Sequence, residues 1–150
     1  MTADNDPLKL DRQLCFPLYA ATNLLVRAYR PLLEPLGLTY SQYLVMLVLW
    51  ERDTASVGDL ARCLFLDSGT LTPLLKRMEK AGFIARRRDS EDERRVLIEL
   101  TAHGSGLRKK AQDVPRALAK QLNLKKADGE VLRKSAQDFV QTLAEQVLAD

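Results

Sequence analysis

The chain is poor in the residues that build stapled or metal-held folds: among 150 residues there are two cysteines, one histidine and one tryptophan, and aromatics make up only 6%. Two cysteines, at positions 15 and 63, are too few for the disulfide framework of a small secreted domain. With the lone His103 they show no metal-ligand spacing, so no metal and no cofactor is expected, and His103 reads as a solvated residue near a helix start. No apolar run of about 20 residues and no short apolar leader occurs, which argues against a membrane span or an export signal. Charge of one sign is also lacking, since 23 Lys+Arg stand against 20 Asp+Glu for a net +3. Neither internal repeats nor low-complexity stretches occur. The expectation is a soluble cytoplasmic protein of a reducing compartment, a single domain over 1–150 long enough to bury about 70% of its unfolded surface.

What the chain does have is an uneven distribution of charge. Residues 1–60 hold 5 basic and 7 acidic groups, net −2; residues 61–110 hold 12 and 7, net +5; residues 111–150 hold 6 and 6, net zero. Positive charge gathered in one segment is what a nucleic-acid-binding face requires.

Leu18, Ala21, Leu25, Ala28 and Leu32 recur at helical spacing, which predicts a first helix over about 12–34 despite Pro17 and Pro31, with Cys15 at or just before a helix N-terminus. After Pro35 and Gly37, Thr39 with Gln42 forms a capping-box pattern ahead of the apolar run Tyr43–Trp50. Ser56 with Asp59 repeats the pattern and opens a short helix whose inner face is expected to carry Leu60, Cys63 and Leu64. Asp67 or Ser68 caps a third helix, with Leu71, Leu74, Leu75 and Met78 at i, i+3, i+4, i+7, ended by Gly82. The period then changes: Phe83 and Ile84 lead into Arg86–Arg88, a charged turn follows, and Val96, Ile98 and Leu100 alternate, which predicts a β-hairpin. Thr101 caps a further helix with Leu107, Ala111 and Val114 inward, interrupted at Pro115. A last helix carries Val131, Leu132, Phe139, Leu143 and Val147.

Helix, helix, then hairpin, with cations on the last two elements, is the order of a winged helix-turn-helix module: a mainly α fold with a small β-hairpin wing. The helix over 67–81 is expected to enter the major groove. Its apolar stripe turned inward leaves Ser68, Thr70, Thr72, Lys76, Arg77 and Lys80 for phosphate and base edges, and the hairpin tip offers Arg94 and Arg95 to an adjacent minor groove. Arg86, Arg87 and Arg88 are phosphate candidates on charge alone. The bland alternative is an ordinary solvated cationic face, since 29% of the residues are charged. Read in isolation, Cys15 is a small packing residue and Tyr29 and Tyr40 are amphipathic core-edge residues.

Particular stretches carry a family resemblance. Asp92-Glu93-Arg94, followed after five residues by Leu100-Thr101, resembles the DxR…LT wing pattern of the MarR family of winged-helix regulators. Leu14-Cys15-Phe16, Tyr29 with Pro31-Leu32-Leu33, Leu38–Tyr43, Leu49-Trp50-Glu51 and Leu64–Leu75 are similar to the organic-hydroperoxide-sensing OhrR branch. The resemblance spans about residues 8–104. It implies a homodimeric repressor with DNA-binding part 39–100 and N- and C-terminal dimerisation helices (8–36 and 102–148), reading a pseudo-palindromic operator. It implies that Arg94 enters the minor groove and that Asp92 holds the wing in shape by pairing with a nearby arginine.

The same resemblance makes Cys15 the residue oxidised by organic hydroperoxide, with Tyr29 and Tyr40 hydrogen-bonding its sulfur. Apolar neighbours Leu14, Phe16 and Leu18 favour a lipophilic oxidant. Because residues 111–150 contain no cysteine, the chain resembles the one-cysteine type, in which a small cellular thiol completes a mixed disulfide and Cys63 is left to the core. Two rival readings share the residues: a regulator answering a small aromatic or phenolic ligand, and a thiol peroxidase. The second is weakened by the missing resolving cysteine.

Overall fold

The computed structural model describes residues 6–149 and divides at 114/115 into two compact units. The first holds α1 (Phe16–Leu33), α2 (Tyr40–Arg52), β1 (Thr54–Ser56), α3 (Val57–Leu64), α4 (Ser68–Lys80), β2 (Ile84–Arg88), β3 (Val96–Leu100) and α5 (Ala102–Ala111). The second is helical, with α7 (Lys126–Val147) following most of α6 (Val114–Gln121). No single helix among the described residues is long and apolar enough to cross a membrane.

Side-chain caps set most helix starts in the first unit. Thr39 and Gln42 close a full capping box at α2, and Ser56 and Asp59 close another at α3. Asp67 accepts from Thr70 N at α4, and Thr101 from Gly104 N at α5. Each satisfies amides the helix leaves unpaired and is worth about 1 kcal/mol. The first helix starts later than its apolar spacing suggests, at Phe16 after a 3-10 turn over Leu10–Arg12, because Pro17 suits only the first turn. Pro31 is accommodated inside α1.

The core gathers Leu33, Val45, Met46, Leu49, Leu60, Leu71, Leu75, Met78, Ile84 and Ile98, all buried. Leu107, Ala111 and Val114 join it as their spacing predicts. The indole of Trp50 donates to the carbonyl of Gly104 at 2.9 Å in the interior.

The predicted hairpin is present, β2 pairing antiparallel with β3 from Ile84 opposite Leu100 to Arg88 opposite Val96. A third strand accompanies it: β1 pairs with the other edge of β3, Thr54 opposite Glu99, giving the order β1-β3-β2. Three residues, Thr-Ala-Ser, are too short for a periodicity signal, and their partner lies over 40 positions on.

Cys63 departs from its expected place in the core, since it is exposed, and Cys15 is exposed as well. On α3, Val57, Leu60, Ala61 and Leu64 cluster toward the core. At about 100° per residue, Cys63 points roughly 100° away from the centre of that face. Cys15 stands outside α1 as its N-cap residue.

Candidate DNA-reading face and redox site

The buried stripe of α4 is Leu71, Leu74, Leu75 and Met78, so helical geometry alone turns Ser68, Thr70, Thr72, Lys76, Arg77 and Lys80 outward, and all six are exposed. Asp67 takes both the amide (2.8 Å) and the hydroxyl (3.0 Å) of Thr70. Those bonds hold its carboxyl below the usual carboxylate range.

At the wing tip, Asp89 N donates to Arg95 O and Arg95 N to Asp92 O, each at 2.9 Å. Asp92 Oδ1 accepts from Arg94 N at 3.1 Å and from Arg94 Nε at 3.2 Å. The Arg94 side chain is nonetheless 92% exposed, a cation projecting from a tip whose backbone is closed.

The other wing arginines are engaged. Arg86 Nε donates to Glu79 Oε2 at 2.7 Å and its amide to Glu79 Oε1 at 3.3 Å, tying the last turn of α4 to the first strand of the wing. The Arg86 bond lowers the Glu79 pKa. Arg87 donates to Glu99, and Arg95 lies 3.6 Å from Asp89 and 3.8 Å from Asp59. Sequence reasoning missed Glu79, Asp59 and Asp89 as partners. The Glu79–Arg86 pair spans the Gly82 turn, where φ is +81°, and the signal for it was an acid and a base on either side of a helix-ending glycine. Between α3, α4 and the wing lies a cleft of about 530 Å³, lined by Thr72 and by Arg62, Arg86, Arg94 and Arg95.

Cys15 lies at the far end of α1 from the tyrosines. Its thiol makes no hydrogen bond among the described residues, and its carbonyl accepts from Tyr19 N at 3.0 Å. Pro17, second in the helix, removes one of the free amides that a helix N-terminus normally presents. Tyr29 and Tyr40 pack in a tilted pair with ring centres 4.8 Å apart, and Tyr43 is 5.8 Å from Tyr29. Burial, then the neighbouring Tyr40 and Tyr43, push the Tyr29 phenol up to about 12. Burial likewise raises Tyr40, so both phenols remain O–H donors through the physiological range. Tyr29 lies fourteen positions beyond Cys15 along continuous helix, about 21 Å of axial rise. Within one chain the thiol and the tyrosine pair do not meet.

A recognition helix beside a three-stranded sheet whose hairpin tip presents a projecting, exposed arginine defines a winged-helix transcriptional regulator. Residues 27–113 match the family described as transcriptional regulator SarA/Rot. The chain is 51% identical over 125 residues to the organic hydroperoxide resistance transcriptional regulator of Bacillus subtilis (strain 168), 83% of each protein being covered. Among solved structures it is similar to reduced AbfR bound to DNA, with a TM-score of 0.80 and 33% identity over 96% of this chain and 99% of that one. It is also similar to disulfide-formed AbfR, with a TM-score of 0.61 and 35% identity over 87% and 92%. The chain belongs to the MarR/SarA family of winged-helix transcriptional regulators.

Proposed function

We propose that the protein is a redox-sensing repressor that binds a pseudo-palindromic operator as a homodimer and is released when organic hydroperoxide oxidises Cys15. The carrying observation is the placement of that thiol: exposed, at the N-terminus of α1, whose other end carries Tyr29, protonated and packed against Tyr40 of α2.

The thiolate attacks the peroxide oxygen, giving cysteine sulfenic acid and an alkoxide that leaves as the alcohol after taking a proton. A small cellular thiol then condenses with the sulfenic acid, forming a mixed disulfide and releasing water. Because α1 keeps Cys15 and Tyr29 about 21 Å apart, the tyrosines that donate to the sulfur belong to a second copy of the chain. Exposed Leu14, Leu18, Tyr19 and Leu24 in the first unit, and Val131, Leu132, Leu143 and Val147 in the second, are the apolar faces for that dimer.

On DNA, α4 lies in the major groove, with Ser68, Thr70 and Thr72 at its first turns and Lys76, Arg77 and Lys80 on phosphates. Arg94 enters the minor groove, braced by Asp92. Arg95 adds positive charge at the tip, and Arg86 acts through Glu79 by holding α4 to the wing. Such a protein turns over no substrate, which separates it from a peroxidase.

A gel-shift titration on the chain's own upstream DNA tests this reading. The parent is expected to release DNA on adding organic hydroperoxide and Cys15→Ser to stay bound; release of Cys15→Ser would overturn it. A second reading, response to a small phenolic ligand, is favoured by a cleft of about 310 Å³ lined by Val26, Arg30, Leu38, Thr39 and Tyr40. Phenolic acids in the same titration distinguish the two.

A further inference from the structure

Bonded to residues that line the basic cleft is a carboxylate that a DNA-binding surface should not tolerate without a reason. Asp59 is the third residue of α3, and its Oδ2 accepts from Ser56 N at 3.1 Å and Ser56 Oγ at 2.7 Å. Its Oδ1 accepts from Arg62, whose side chain lines the cleft. Its Oδ2 also faces Arg95 of the wing, 3.8 Å away, and Arg95 is flanked on its other side by Asp89 at 3.6 Å. The backbone of Arg95 closes the tip through Asp89 and Asp92. The next residue toward the tip, Arg94, is held only by Asp92. A continuous chain of polar contacts therefore runs from the N-terminus of α3, through Asp59 and Arg95, to the base of the projecting Arg94.

We propose that Asp59 is a positioning residue for DNA reading: it fixes the wing against α3, so that Arg94 is aimed before DNA arrives. This rests on the reading of Arg94 as a minor-groove contact. A negative charge beside Arg62 and Arg95, on the face proposed to meet DNA, opposes binding by its own field. A surface carboxylate with no other role should strengthen DNA binding when neutralised. A positioning carboxylate should weaken it, because the wing then pays on binding the ordering cost that the Arg95 contact had already met. The sign of the effect separates the two.

Asp59→Asn is the variant of choice, since the amide oxygen still accepts from Ser56 and the α3 cap is kept. Its affinity for the upstream DNA is expected to fall about two- to fivefold, the range of an exposed ion pair. In an Arg95→Ala background the same substitution should produce no further loss. The Arg95 amide, which donates to Asp92, should exchange with solvent faster in Asp59→Asn, and in the folded Arg95→Ala variant the tip amides should do the same. Unchanged or tighter binding by Asp59→Asn, losses that simply add in the double variant, or weaker binding with unchanged exchange would each overturn the proposal. Arg94→Ala in the same titration keeps the outcomes apart: if it binds like the parent, the minor-groove reading itself fails, whereas if it weakens binding while Asp59→Asn tightens it, only the positioning role fails.

Discussion

Gly104 sits in the second turn-forming half of the Thr101 cap, buried at the start of α5, and a side chain there has nowhere to go. A Cβ at this position would lie 2.1 Å from the carbonyl oxygen of Phe83 and 3.1 Å from its carbon. The obstacle is backbone, and it is pinned: Thr101 N and Oγ1 both donate to Phe83 O, and Trp50 bonds Gly104 O from the other side. Gly104→Ala must push α5 off the residues that follow the recognition helix. Overpacking of this kind costs about 3 kcal/mol at the upper end of its range, and the better helix propensity of alanine returns up to about 1. The net loss of about 2–3 kcal/mol corresponds to a fall in Tm of about 4–12 °C for a chain of this size. Gly106, two residues on in the same helix, is exposed with nothing within 4 Å of its would-be Cβ. Gly106→Ala should therefore raise Tm by about 1–4 °C, from a propensity gain of about 0.5–1 kcal/mol. Paired thermal melts check both signs. A Gly104→Ala protein that melts with the parent, or a Gly106→Ala protein that melts below it, would refute the packing argument.

Arg94→Ala is expected to weaken operator binding at all salt concentrations, whereas Lys76→Ala should act through phosphate and lower the slope of log K against log salt by about 1, as a salt titration would show. Cys63→Ser should respond to organic hydroperoxide as the parent does, and oxidised parent incubated with a small thiol should carry that thiol's mass on the Cys15 peptide; a Cys15–Cys63 bridge in the mass spectrum would contradict this. Raised to about 12, Tyr29 keeps its proton in the folded state after the unfolded chain has lost it, so it stabilises fully below about pH 10 and its contribution is lost as pH rises toward 12. Alkaline melts of Tyr29→Phe should accordingly fall less steeply over that window than those of the parent.

The parts of this molecule that were legible in its sequence are those specified by neighbours three or four positions apart. The Thr39–Gln42 and Ser56–Asp59 boxes, the Asp67 and Thr101 caps and the inward stripe of α4 all depend on local spacing, and all are present. Strand β1 escaped because its stabilisation comes from Glu99 and Ile98, distant in sequence. Cys63 was misplaced because i+3 from Leu60 is only the margin of a face whose centre lies between Val57, Leu60, Ala61 and Leu64. In the candidate site, the outward residues of α4 and the tip arginines could be read from periodicity and charge. Which arginine projects most into solvent could not, because that is decided by Glu79, Glu99, Asp89 and Asp59, each contributed by an element other than the one bearing its arginine or by the far side of a turn.

The caps have a further consequence, for the order in which the protein assembles. Four helices in the first unit, α2 to α5, carry their start signals in their own side chains. By contrast, the N-cap residues of α1 and α7, Cys15 and Lys125, make no side-chain cap bond. A helix so begun has its nucleation cost met by what later covers it. The reading head is thus self-starting, while the helices proposed to join two copies lack such a signal, and dilution should loosen the first turn of α1, next to Cys15, before it disturbs α4. The proposed sensor thus lies beside a helix whose start is not set by its own side chains, and the proposed DNA contacts on a helix whose start is.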